Sequence, residues 1–201
     1  MTAQKSIKYY ASAGCIILLL IAMIAAYLRY THHQQQRAAS HYYETLLTSL
    51  INQTHGSDIT PQAIALTQLY PHTIYANLAQ LQLARQAVYK NNLPEAQQWL
   101  MKVIETCHDP DLQAIARQRA ARIHLALRQP EQALKLLDKK ACAGYTAACS
   151  EIEGDILAAS GRKSEALKAY QTAQRALPEL ETLQPLLQMK LEDLGRLQEE
   201  V

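Results

Sequence analysis

Three short stretches of this chain line up with one another, and their spacing limits what it can fold into. They are Pro94-Glu95-Ala96, Pro130-Glu131-Gln132-Ala133 and Lys163-Ser164-Glu165-Ala166. Each opens an apolar pattern with helical period, and each follows another such pattern closed by a turn. Ala96, Ala133 and Ala166 lie 37 and then 33 residues apart. A helix-turn-helix unit repeated at that period cannot bury its apolar face alone, so each unit predicts a neighbour. The best-formed unit is residues 147–180. Gly154 sits where two helices must approach closely. Ala166, Tyr170 and Ala173 follow on the second helix, and Pro178 closes the unit. Small residues let the two backbones cross, and the ring fills the gap beside them.

A glycine, then A-x3-aromatic, then proline is the tetratricopeptide (TPR) pattern, whose period is about 34 residues. The expected class is therefore all-α, a TPR-like solenoid of helical hairpins. Abundant Ala, Leu and Gln with only six Gly agree with helices. Ser40 to Gln53 begins the domain, with Tyr43, Leu46, Leu47, Leu50 and Ile51 on one face. Thr60-Pro61 starts a second helix that Tyr70-Pro71 stops. Thr73 to Lys90, Pro94 onward, Leu112 to Leu127 and Gln129-Pro130 onward supply the following hairpins. The third B helix, from Gln129-Pro130, is expected to carry Ala133, Leu136 and Leu137. In the unit at 147–180, Glu153 stands where the pattern wants a leucine, which leaves Ile152 and Ile156 to pack. Beyond it, Leu183, Leu186, Leu187, Leu191, Leu194 and Leu197 form one stripe, the mark of a capping helix over residues 181–201.

Ala11 to Leu28 holds 18 residues without a charge, long enough at ~1.5 Å each to come close to spanning a bilayer core of about 30 Å. Tyr9, Tyr10, Tyr27 and Tyr30 flank it as interfacial aromatics would. A cleavage site after Ala25 or Ala26 would need a small residue two positions earlier, where Met23 and Ile24 stand. The apolar run follows Cys15 instead of preceding it, which argues against lipidation there. The expectation is an uncleaved anchor in contact with membrane lipid. Lys5, Lys8 and the α-amino group on one side outweigh Arg29 and Arg37 on the other, which places the N-terminus inside and the C-terminal domain outside. The expected organisation is a short cytoplasmic tail (1–10), a transmembrane helix (11–28), a polar stalk (29–39) and a TPR-like domain (40–201).

Of 20 basic and 18 acidic residues, Lys5, Lys8 and Arg29 fall in the first 30, so the remainder is one charge negative. That excludes a general nucleic-acid binder, which needs a net basic face. There is no nucleophile elbow, no HExxH and no phosphate-cradling glycine loop, so no enzyme is expected. His32-His33 has no third ligand nearby and Cys107-His108 has no matching pair, so neither metal nor cofactor is expected. His124 falls on an inner helix face as a packed residue. Cys142 and Cys149 bracket a short turn. They read either as a disulfide, worth about 2–3 kcal/mol by chain entropy, or as two small buried thiols.

What remains is binding. In this architecture the first helix of each hairpin lines the concave groove. Counting from the aligned units gives Leu78, Leu81, Arg85 and Val88, then Gln118, Arg122 and Leu125, then Glu151 and Asp155. Such a groove, apolar at one end, basic in the middle and acidic at the other, suits extended or helical peptide segments. Taken singly, Arg85, Arg122, Glu151 and Asp155 read equally well as a solvated face with ion pairs between repeats.

Three further stretches are informative: Tyr75-Ala76-x-Leu78-Ala79-x-Leu81-x-Leu83-Ala84, Glu153-Gly154-Asp155-x-Leu157 with Gly161-x-Lys163, and Leu187-Gln188-Met189-Lys190-Leu191. With the order anchor, stalk and repeats, they make the chain resemble the YfgM-type family, the ancillary subunit of the SecYEG translocon. The family's tail before the membrane is acidic, whereas no residue before Ala11 is acidic here. The resemblance implies a bacterial inner-membrane protein with a periplasmic TPR-like domain. Its implied partners are the SecYEG translocon, the periplasmic chaperone PpiD and unfolded secretory polypeptides handed on to chaperones. The competing readings are an anchored scaffold of a secretion or cell-wall complex, and a cytoplasm-facing TPR adaptor.

Overall fold

The computed structural model describes the backbone of residues 2–52, 59–138, 140–177 and 185–199, and the side chains of these apart from 2–16, 50, 52 and 196–199. The described residues are helical, with turns between, and contain no strand. In chain order the helices are α1 (Thr2–Asn52), α2 (Thr60–Leu69), α3 (Ile74–Tyr89), α4 (Leu93–Thr106), α5 (Pro110–Ala126), α6 (Pro130–Lys135), α7 (Thr146–Ala159), α8 (Lys163–Ala176) and α9 (Pro185–Glu199).

The hairpin turns repeat one backbone device. Asn91, Arg128 and Gly161 all take a left-handed conformation, with φ of 57°, 58° and 77°. The following N–H reaches back five residues each time: Asn92 to the Ala87 carbonyl at 2.8 Å, Gln129 to that of His124 at 2.8 Å and Arg162 to that of Leu157 at 2.9 Å. This is the Schellman closure, which satisfies the last carbonyls of the A helix while reversing the chain. The next helix starts at once, with Pro94 and Pro130 in the first turns of α4 and α6, where a missing N–H costs nothing. Thr73, Asn92 and Asp109 cap α3, α4 and α5 by accepting the N–H of Ala76, Glu95 and Leu112.

The apolar faces stack into one series of cores. Ala39, Leu46, Ala63, Leu66, Ala79 and Leu83 join α1, α2 and α3, with the Tyr43 and Tyr75 rings 5.8 Å apart beside them. Ala84, Ala96, Leu100, Val103, Ala116 and Ala120 join α3, α4 and α5. Ala121, Ala133, Ile152 and Ile156 continue into α7. Leu157, Ala166, Tyr170 and Ala173 then meet Leu187 and Leu194 of α9. Gly154 is needed at the α7–α8 crossing, because a Cβ there would run into the ring of Tyr170. Glu153 is exposed, and Ile152 and Ile156 are fully buried in its place.

Some expectations gain detail and others change. The polar stretch 29–39 is helix, continuous with both sides of α1. Gln, Arg and Ala are good helix formers, and nothing in this stretch breaks the pattern. Helix α6 ends at Lys135, so Leu136 and Leu137 pack from a turn instead of from a helix. Leu186, placed in the capping stripe, is 57% exposed, while Leu187 and Leu194 carry the contact. Leu183 and Leu197 lie outside the described side chains. Among the described residues, no helix is long and apolar enough to cross a membrane. The expected span begins at Ala11, and the side chains of residues 11–16 lie outside the description. From Ile17 to Leu28 the side chains are exposed.

Candidate protein-binding groove

Helices α3 and α5 are the first members of successive hairpins, and both pack against α4. Between them lies a cavity of about 370 Å³. Its floor is apolar: Ala84 from α3, Leu100 from α4 and Ile123 from α5. Val88 and Tyr89 form the α3 side, and Tyr89 is 74% exposed. Arg85, Arg119 and Arg122 stand at the rim. The Arg85 guanidinium lies over the Tyr89 ring, 5.3 Å from its centroid, and its Nε and Nη2 face the Tyr89 hydroxyl at 3.4 and 3.3 Å. Helical spacing explains the grouping. Arg85, Val88 and Tyr89 share one face of α3, and Arg119 and Arg122 share one face of α5. Among the described residues, no carboxylate pairs with any of the three arginines.

The nine expected groove residues separate into three kinds. Arg85, Val88 and Arg122 line this cavity. Leu78, Leu81, Gln118 and Leu125 are drawn inward. Leu81 is only 5% exposed and belongs to the α3–α4–α5 core, which corrects its placement on the groove surface. Leu78 and Leu125 are half-buried against the cores. Gln118 is also half-buried, with its Nε2 atom enclosed and without a hydrogen-bond partner among the described residues.

Glu151 and Asp155 form the third kind, and they correct the expectation of an open acidic end. Lys190 of α9 reaches between them, with its Nζ 2.7 Å from Glu151 Oε1 and 2.7 Å from Asp155 Oδ1. The Tyr170 hydroxyl donates to Asp155 at 2.8 Å, and Lys190 Nζ lies 5.5 Å from the Tyr170 ring centroid. Burial pushes the Tyr170 phenol up, and its hydrogen bond to Asp155 adds to that. Burial alone would lower the Lys190 pKa, but its hydrogen bonds to Asp155 and Glu151 outweigh it and raise the value. The acidic end is therefore an internal joint between α7, α8 and α9.

Tyr89, Arg119 and Lys190 were not among the expected residues. The first two were visible as i+4 from Arg85 and i−3 from Arg122. Lys190 pairs with a residue 39 positions away, which no local spacing reveals. Cys142 and Cys149 are joined as a disulfide with their Cα atoms 6.0 Å apart. Cys107 is a buried free thiol whose pKa burial raises. His124 is buried, with Nδ1 2.8 Å from Gln129 Oε1. Among the described residues, no three His, Cys, Asp or Glu side chains are grouped to hold a metal ion.

The family model described as tetratricopeptide repeat-like domain matches residues 7–196. Three curated relatives carry the same name, ancillary SecYEG translocon subunit. The protein from Neisseria gonorrhoeae (strain ATCC 700825 / FA 1090) is 33% identical over 143 residues, which is 71% of this chain and 68% of that one. The protein from Escherichia coli (strain K12) is 32% identical over 121 residues, 60% of this chain and 58% of its own length. The protein from Aggregatibacter actinomycetemcomitans is 34% identical over 122 residues, 61% and 59% of the two chains. The alignment thus spans just over two thirds of the first relative and less than two thirds of the other two. No solved structure matches the chain.

Proposed function

The chain belongs to the YfgM-type family of ancillary SecYEG translocon subunits, built on a tetratricopeptide repeat-like domain, and from that premise we propose that it is a non-enzymatic scaffold tethered at the translocon. Its helical domain binds translocon-associated proteins and emerging secretory polypeptides and helps hand them to periplasmic chaperones of the PpiD type. The observation that carries this reading is the apolar, arginine-rimmed cleft between α3 and α5, open to solvent. Residues 11–28 anchor the chain in the inner membrane. Supporting this, Ile17 to Leu28 lie exposed along α1 with an apolar surface that the domain does not cover. The Cys142–Cys149 bridge supports an oxidising compartment, and so a domain on the periplasmic side. Tethering raises the local concentration of the groove near the translocon without demanding high intrinsic affinity.

A photo-crosslinking residue at Val88 in the membrane-embedded protein tests the reading. Capture of translocon subunits, chaperones or nascent secretory chains is the expected result, and capture of none of these would overturn it. Alkaline phosphatase fused after Val201 tests the side of the membrane. An active fusion is expected, and an inactive one refutes the periplasmic assignment.

A further inference from the structure

We propose that the α3–α5 cleft recognises a particular chemistry: an acidic segment of a partner protein anchored by one large apolar side chain. This rests on the scaffold reading above and specifies the ligand of the same groove. The cavity between Ala84, Leu100 and Ile123 has an apolar floor and, at about 370 Å³, room to seat a leucine or an aromatic ring. Val88 is 43% exposed and Tyr89 74% exposed at its edge, an apolar surface that the fold leaves to solvent.

Charge decides which segment fits. Three guanidinium groups, Arg85, Arg119 and Arg122, surround the cavity, and none is neutralised by a carboxylate among the described residues. Like charges held together disfavour the empty state, and a carboxylate arriving between them relieves that repulsion. Guanidinium groups match carboxylates in fork geometry, which a lysine cluster would not do. Arg85 is already held against Tyr89, so part of its ordering cost is met before binding. Glu151 and Asp155 do not compete, because Lys190 occupies both. The cleft therefore attracts acidic segments and repels basic ones. An anionic lipid headgroup would satisfy the arginines too. The apolar floor of Ala84, Leu100 and Ile123 directly beside them, however, seats an apolar side chain next to a carboxylate, and so favours a polypeptide.

The test uses the full chain in detergent micelles and fluorescein-labelled short peptides followed by anisotropy. One peptide alternates Glu with Leu, a second has Lys in place of Glu, and a third has Ala in place of Leu. The first is expected to bind at least about tenfold more tightly than either of the others. Salt should weaken it, since the arginines are exposed. R119E/R122E and the milder R119Q/R122Q should both lose this preference while keeping the helical spectrum of the parent. Equal or tighter binding of the Lys peptide overturns the inference but leaves a groove that binds peptides. Failure of all three peptides overturns it too, and if Val88 crosslinks still capture translocon components the scaffold reading stands alone. Phosphatidylglycerol vesicles that displace the Glu/Leu peptide, and bind in an Arg119- and Arg122-dependent way where it does not, would assign the cleft to lipid and overturn the inference.

Discussion

Tyr170 does three jobs at one position. Its ring fills the space that Gly154 leaves open, its hydroxyl holds Asp155, and its face lies under Lys190. A methyl group at residue 154 has nowhere to go, since the ring is 3% exposed and tied down by its hydroxyl. Overpacking of this kind costs about 1–3 kcal/mol, and alanine's better helix propensity returns up to about 1 kcal/mol. G154A should therefore destabilise the domain by about 1–2 kcal/mol in urea titration. In a Y170L background the same change should cost markedly less, and a double-mutant cycle showing no coupling would place the conflict elsewhere. The same cluster sets a pH limit. Tyr170 and Lys190 both hold their protons more tightly folded than at the ordinary values of 10.0 and 10.5. A raised pKa contributes stability that is complete below the unfolded value and lost as pH rises through the folded one. Urea midpoints should stay level from neutral pH to about pH 10 and fall above it, and Y170F should blunt that fall.

At the scale of elements, the three A-to-B turns show where sequence and geometry agree and where they conflict. Gly161 meets the left-handed conformation at no cost, and Asn91 tolerates it, but Arg128 holds it with a full side chain. R128G should therefore stabilise the domain by about 0.5–1 kcal/mol in thermal or urea unfolding, because the strain removed exceeds glycine's entropic cost at this turn. No gain would mean that the Arg128 side chain contributes contacts of its own. The disulfide makes the second test. Closing so short a loop is worth about 2–3 kcal/mol by chain entropy, so reduction should lower stability by that much and loosen the link from α6 to α7. These turns also show why much of the fold was legible. The alanine spacing, the proline starts and Gly154 are local signals, and each fixes a helix end or a crossing. The early end of α6 was not legible, since Leu136 and Leu137 satisfy a helical pattern while packing from a turn. Three of the eight residues that line the groove were legible from helical register, Arg85 and Val88 on α3 and Arg122 on α5. At the acidic end the ion-paired reading of Glu151 and Asp155 holds over the open groove, and its partner Lys190 was not legible because it arrives from a helix far along the chain.

For the molecule as a whole, the decisive element is α1. At 1.5 Å per residue its 51 residues extend about 75 Å, and it carries both the apolar run and the first core residues, Ala39 and Leu46. The polar stalk between them is helix, so the groove on α3 and α5 has a defined orientation relative to the apolar run. A tethered binder gains from that only if its cleft faces the site where chains emerge, because effective concentration depends on reach and direction. Breaking the helix separates the two roles. His33 is exposed and lies before the residues that join the domain core. A proline there removes one helical hydrogen bond and clashes with the preceding turn, at about 3 kcal/mol for the helix. H33P should lower the melting of the repeat domain only slightly, since His32 and Gln36 border it across a cavity while the buried core starts at Ala39. Spin labels placed on the apolar run and on α5 should report a narrow distance distribution in the parent chain and a broad one in H33P. Crosslinking from Val88 should weaken in step. If the parent distribution is already broad, α1 acts as a flexible tether, and the groove reaches its partners by diffusion within the tether's length instead of by a fixed aim.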